Sequence, residues 1–127
     1  MRWFLGAALF AVLCVGCGGD NRTIPPVTQD LQEVWGIYKA HVDKAKKPPT
    51  KLAQLAPLEL LYANGYAAAS DGRVVVLWGT PTGAANRLLA YQKEAQQLGG
   101  EVLFADGTVK KLSARDVQDA LSAAGVK

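Results

Sequence analysis

A chain of 127 residues, half of them apolar and one fifth charged, has ordinary globular composition and room for one hydrophobic core but not two. The formal charge of +3 includes Arg2 in the leader, so the remainder carries +2, too little and too scattered for a nucleic-acid partner. Both cysteines, Cys14 and Cys17, precede Gly18, which excludes a disulfide framework for an exported domain.

Residues 1–17 carry one early cation, an apolar run from Trp3 to Val15, and then small residues. This is the pattern of a secretory signal. A membrane-spanning helix needs about 20 apolar residues, and Gly18-Gly19-Asp20-Asn21-Arg22 ends the run sooner. The end of the leader, Leu13-Cys14-Val15-Gly16-Cys17, resembles the lipobox of bacterial lipoproteins, in which a small residue precedes the cysteine that becomes the acylated N-terminus. Gly16 and Cys17 match, while Cys14 stands where leucine is usual. The resemblance implies cleavage between Gly16 and Cys17, removal of residues 1–16, diacylglycerol on the Cys17 sulfur, and a place on the extracytoplasmic face of a bacterial membrane. Each buried acyl CH₂ contributes about 0.8 kcal/mol, so two or more long chains hold a protein firmly. An ordinary cleaved signal with an incidental cysteine is the alternative. Residues 17–27, with Pro25-Pro26 and no periodicity, read as the lipidated cysteine and a flexible tether. One domain, 28–127, follows.

From Thr28 onward Leu31, Val34, Trp35, Tyr38, Val42 and Ala45 recur at three- and four-residue spacing and predict a helix with one apolar face. Thr28 or Asp30 is its expected N-cap, Trp35 its largest buried member, and Pro48-Pro49 its end. The nearby Lys44, Lys46, Lys47 and Lys51 read first as a solvated helix end, with anionic lipid headgroups as the other reading. Short turns are expected at Thr50–Leu55 and Pro57–Tyr62, the second broken by Asn64-Gly65, and Tyr66–Ala69 as a short strand. After the turn signal Ser70-Asp71-Gly72, the run Arg73–Gly79 reads as the strongest strand, buried on both faces.

Ala84–Leu98 fits two patterns. Leu88, Tyr91, Ala95 and Leu98 suit a helix closed by Gly99-Gly100; Arg87–Gln92 suits a strand. Short connections in an antiparallel meander favour the strand. Gly99–Leu112 is a hairpin turning at Asp106-Gly107, with positive φ expected at both turn residues. Its first strand is apolar on both faces, Leu103 and Ala105 opposite Val102 and Phe104, as in the middle of a covered sheet. Its second strand carries Lys110 and Lys111, which suit a sheet edge. Ser113, with Asp116 three residues on, caps a final helix whose apolar face is Val117, Ala120, Leu121 and Ala124, closed by Gly125.

Chemistry-bearing groups are sparse. His41 is the single histidine and flanks the apolar stripe, so no Ser/His/Asp triad or multi-histidine metal site is supported. Asp71 and Asp106 each precede glycine in a turn, without the closely spaced acids that calcium needs. Gly79-Thr80-Pro81-Thr82-Gly83 lacks the lysine of a phosphate loop. These residues point to no cofactor and no enzyme.

Val102-Leu103-Phe104-Ala105-Asp106-Gly107-Thr108-Val109-Lys110 resembles the closing segment of bacterial prepilin-like proteins with a His-X9-Asp-Gly signature. Pro48-Pro49-Thr50-Lys51-Leu52, followed by Leu55, is similar to the segment after the long helix of pseudopilin domains. Two positions depart: Gln96 stands where that signature has histidine, and a lipid signal replaces the prepilin methylation motif and its long apolar helix. The resemblance implies a pilin-head-like domain. The expected architecture is α+β, one long N-terminal helix on a three- to five-stranded antiparallel sheet with a short C-terminal helix. The expected role is structural or protein-binding in the cell envelope, with the membrane and an unidentified envelope protein as partners. The alternatives are an accessory part of a type IV pilus or type II secretion-like system, and a small ligand-binding protein or weak enzyme using Gly79–Gly83 and Gly99–Gly100.

Overall fold

In the computed structural model, which describes residues 26–126, the expected helix is α1, Pro26–Ala45. It begins two residues before Thr28, with proline in the first turn, where a missing N–H leaves no bond unmade. Neither expected N-cap serves as one. Thr28 Oγ1 donates to Glu101 Oε1 at 2.7 Å, and buried Asp30 accepts from Arg73 Nη1 at 2.7 Å. Both side chains therefore tie α1 to the sheet. Leu31, Val34, Ile37 and Tyr38 are buried, each worth roughly 1.5–3 kcal/mol of transfer free energy. Tyr38, rather than Trp35, is the largest fully buried side chain of the helix; Trp35 is half-buried. The helix stops at Ala45, ahead of the prolines. Lys46, at φ 64, donates its N–H back to the Val42 carbonyl and turns the chain away.

The two short turns expected next form one 3₁₀ segment, Leu52–Leu61, running through Pro57. The strand expected at Tyr66–Ala69 is instead part of helix α2, Ala63–Ser70. Its first turn is capped from another helix. The Glu33 carboxylate of α1 accepts from the backbone N–H groups of Asn64 (3.0 Å) and Gly65 (3.1 Å), and from the Asn64 side-chain amide (3.1 Å). This satisfies donors that Tyr62, at the cap position, does not reach. Gly65 therefore permits a close approach, not a break: a Cβ there would stand 2.7 Å from the backbone nitrogen of Val34. Ala67, Ala68 and Ala69 then favour the helix.

Four antiparallel strands follow in sequence order, β1 (Val74–Val76), β2 (Leu88–Gln92), β3 (Gly100–Phe104) and β4 (Val109–Leu112). The meander and the strand reading of Arg87–Gln92 both hold. Of the helical alternative, one turn survives as α3, Ala95–Leu98, closed by Gly99 at φ 78. The chain ends in α4, Ala114–Ala123, where Ser113 Oγ accepts from the Asp116 N–H at 3.1 Å as expected. The domain is thus α+β, a long first helix, an open four-stranded antiparallel sheet and a short last helix.

Both faces of the sheet are covered. Leu103 and Ala105 join Leu31, Val34 and Tyr38 in the core beneath α1, while Val102 and Phe104 join Val117 and Leu121 beneath α4. The alternation in β3 is what makes two cores possible around one sheet. β2 adjusts to this with a bulge between Leu88 and Ala90. The extra residue sends Leu89 and Ala90 to the α1 side, leaving Leu88 and Tyr91 on the other. Arg73–Gly79 differs from expectation, because only three of its residues enter the ladder and β1 lies at an edge. β4 is the opposite edge, with Lys110 and Lys111 exposed.

Candidate functional site

Gly16 and Cys17 lie outside the described residues. The structure places the other singled-out pair, Asp106 and Gly107, at the tip of the β3–β4 hairpin, in a conformation that differs from expectation. The loop has three residues, Ala105-Asp106-Gly107: the Phe104 carbonyl accepts from the Gly107 N–H (2.9 Å), and the Phe104 N–H donates to the Thr108 carbonyl (2.8 Å). Only Gly107, at φ 95, is left-handed. A three-residue loop with a left-handed glycine fits the strand twist and spares Asp106 the strain of positive φ. Asp106 Oδ1 accepts from the Thr108 N–H at 3.0 Å, and this bond above all holds the exposed carboxyl below its ordinary range. The Trp35 ring closes over Gly107, 2.8 Å from where a Cβ would stand. Asp106 and Gly107 thus shape a turn and seat it on α1.

The Gly79–Gly83 loop is likewise spent on internal bonds. The Tyr38 hydroxyl donates to the Thr80 carbonyl at 2.7 Å, the Thr80 hydroxyl to the Leu77 carbonyl at 2.6 Å, and the Gly83 N–H to the Ala105 carbonyl at 2.7 Å. Burial pushes the Tyr38 phenol up to about 12, against the hydrogen bonds to the Thr80 and Gly79 backbone that pull it down. Burial also raises Tyr91. Among the described residues, three hollows of about 360, 250 and 220 Å³ are lined by residues outside Gly79–Gly83 and Gly99–Gly100. Gly99 packs instead against the Leu112 carbonyl, 2.9 Å from a notional Cβ. Gln96 lies in α3, where its carbonyl accepts from the Gln118 side chain of α4 at 3.1 Å.

The 360 Å³ groove is where exposed chemistry collects. His41, Lys44 and Ala45 of α1 form one wall, and Gln54, Pro57 and Leu58 of the 3₁₀ segment the other. The segment beside it contains five leucines, of which only Leu55 is buried, and Leu60 and Leu61 are 94% and 74% exposed. With His41 and Lys44 lining the same groove as Pro57 and Leu58, the surface can seat an apolar group next to an anion. Sequence periodicity could not reveal this surface, because an apolar run is ordinarily read as core; the signal was a dense leucine run with no strand or amphipathic helix period. Asp71 is exposed in the turn after α2, 3.5 Å from Arg73 Nε. Among the described residues no group of three or more His, Cys, Asp or Glu side chains could hold a metal ion, and no helix is long and apolar enough to cross a membrane.

No family model, curated protein or solved structure matches the chain.

Proposed function

We propose that this chain is a lipid-anchored protein of the bacterial cell envelope, held at the extracytoplasmic face of a membrane by acyl chains on Cys17, with a structural or protein-binding role and no catalysis. The observation that carries this reading is the leader: one cation, a short apolar run and Val15-Gly16-Cys17 followed by a Gly-Gly-Asp-Asn spacer. The domain supports it indirectly, since the Asp106 turn and the Thr80 loop are occupied by internal hydrogen bonds and a groove lined by His41, Lys44, Pro57 and Leu58 opens to solvent. Intact-mass analysis of the chain extracted from native membranes tests the anchor. The expected mass lacks residues 1–16 and gains diacylglycerol at Cys17, and Cys17→Ser abolishes both changes. A mature chain beginning elsewhere, without acyl groups, refutes the reading.

A second reading, an accessory component of a type IV pilus or type II secretion-like system, is favoured by one arrangement: a long helix laid across a meander whose closing hairpin docks on it through Trp35 and Gly107. It predicts co-purification with pseudopilins from cross-linked membranes, and their absence from the cross-linked product counts against it.

A further inference from the structure

We infer that the 3₁₀ segment and the C-terminal end of α1 form a second membrane contact, a face that seats the domain on anionic phospholipid. The inference rests on the membrane location proposed above and adds an orientation to it. Leu60 is almost wholly exposed and Leu61 about three-quarters so. Adjacent in sequence, and in the same segment as the Pro57 and Leu58 that line the groove, they extend an exposed apolar surface of the kind that marks a contact site. The charge of this stretch names the chemistry of what it contacts. Residues 39–61 carry five lysines against two carboxylates, whereas 62–126 carry six cations and six anions. The excess positive charge of the domain therefore falls in the stretch that holds the end of α1 and the 3₁₀ segment. One of the five, Lys39, is matched by Asp43 at 3.1 Å; Lys44, Lys46, Lys47 and Lys51 are all exposed and enter no ion pair among the described residues. Lys44 lines the same groove as Pro57 and Leu58, so cation and apolar side chains share one surface.

Leucines that enter the acyl boundary beneath a ring of lysines that remain at headgroup level are the arrangement of a peripheral membrane site. A bilayer fits these observations better than a nucleic acid, which would leave the leucines without a place. Chain geometry permits both attachments at once. α1 spans 20 residues, about 30 Å, between the tether at Pro26 and the lysine-rich end. The chain from Cys17 to Pro26 reaches at most about 30 Å when extended. Held at both ends, α1 lies along the membrane instead of standing on it.

Hydrogen exchange on the full chain, reconstituted on neutral phosphatidylcholine vesicles and on vesicles with a third phosphatidylglycerol, tests this. Amides of residues 52–62 are expected to exchange about tenfold more slowly on the anionic vesicles, each lysine near such a surface strengthening contact about fivefold. Residues 95–104 are expected to be unchanged. The difference disappears in Leu60→Ser/Leu61→Ser and in high salt. Equal exchange of 52–62 on the two vesicles overturns the proposal, and because that comparison uses the unaltered chain it does not depend on how the variant folds. A chain that floats only with anionic vesicles, with 52–62 protected, upholds the docking face and refutes the lipid anchor. One that floats with both and shows no protection does the reverse.

Discussion

Tyr38→Phe removes a single oxygen from the centre of the fold, and its consequences can be worked out in advance. The hydroxyl donates to the Thr80 carbonyl at 2.7 Å, with Tyr38 fully buried and Thr80 6% exposed. Loss of the bond leaves that carbonyl without a donor in a dry place, a combined cost of about 1–3 kcal/mol. In a domain of this size the melting temperature falls roughly 5 °C per kcal/mol. A second signature appears at high pH. The phenol ionises at about 12 in the folded chain and at 10.0 when unfolded. Between these values the unfolded chain releases a proton that the folded chain keeps, so stability is fully present below pH 10 and falls as pH rises towards 12. Two pH units correspond to a loss of order 2 kcal/mol. Tyr91, raised by burial as well, adds to the slope in the same direction. Urea melts followed by tryptophan fluorescence suit the measurement, because Trp78 stacks on Tyr38 with ring centroids 6.4 Å apart. The phenylalanine variant should start lower at neutral pH and lose less stability in alkali. Equal stability at neutral pH, or an undiminished alkaline slope, refutes the reasoning.

Two other substitutions probe the junctions around α1. Gly65→Ala should destabilise by about 1–3 kcal/mol through overpacking, overriding the roughly 1 kcal/mol advantage of alanine in a helix, since the new methyl stands 2.7 Å from Glu33 and Val34 backbone atoms; a raised thermal midpoint would show that α2 is free to move away. Lys46→Gly should stabilise by about 0.5–1 kcal/mol, because lysine is held at φ 64 where glycine is unstrained. An unchanged or lower denaturant midpoint would contradict this.

Much of the framework was legible from residue type and spacing. The three- and four-residue recurrence of Leu31, Val34 and Tyr38 defined α1, and alternation in Val102–Ala105 divided β3 between two cores. Ser113 capped α4 because a serine hydroxyl reaches an N–H three residues on, an interaction local to the chain. Local sequence misleads where distant residues intervene. Asn64-Gly65 reads as a break until Glu33 supplies the missing cap, and Tyr66–Ala69 then becomes helical. Thr28 and Asp30 read as caps until Glu101 and Arg73 engage them. The hairpin is legible in the sequence, but its three-residue loop depends on the pairing of Phe104 with Thr108.

For the candidate sites the division is sharper. The leader pattern ending in Gly16-Cys17 is wholly a property of sequence, since covalent processing reads residues in order. Lys44–Lys51 is visible as a charge run, whereas the leucine run of the 3₁₀ segment, lacking a strand or helix period, does not by itself say which of its leucines are core. Tertiary structure decided that. The sheet's two faces are already filled by α1 and α4, so Leu60 and Leu61, at the end of the 3₁₀ segment, have no core to enter and stay exposed.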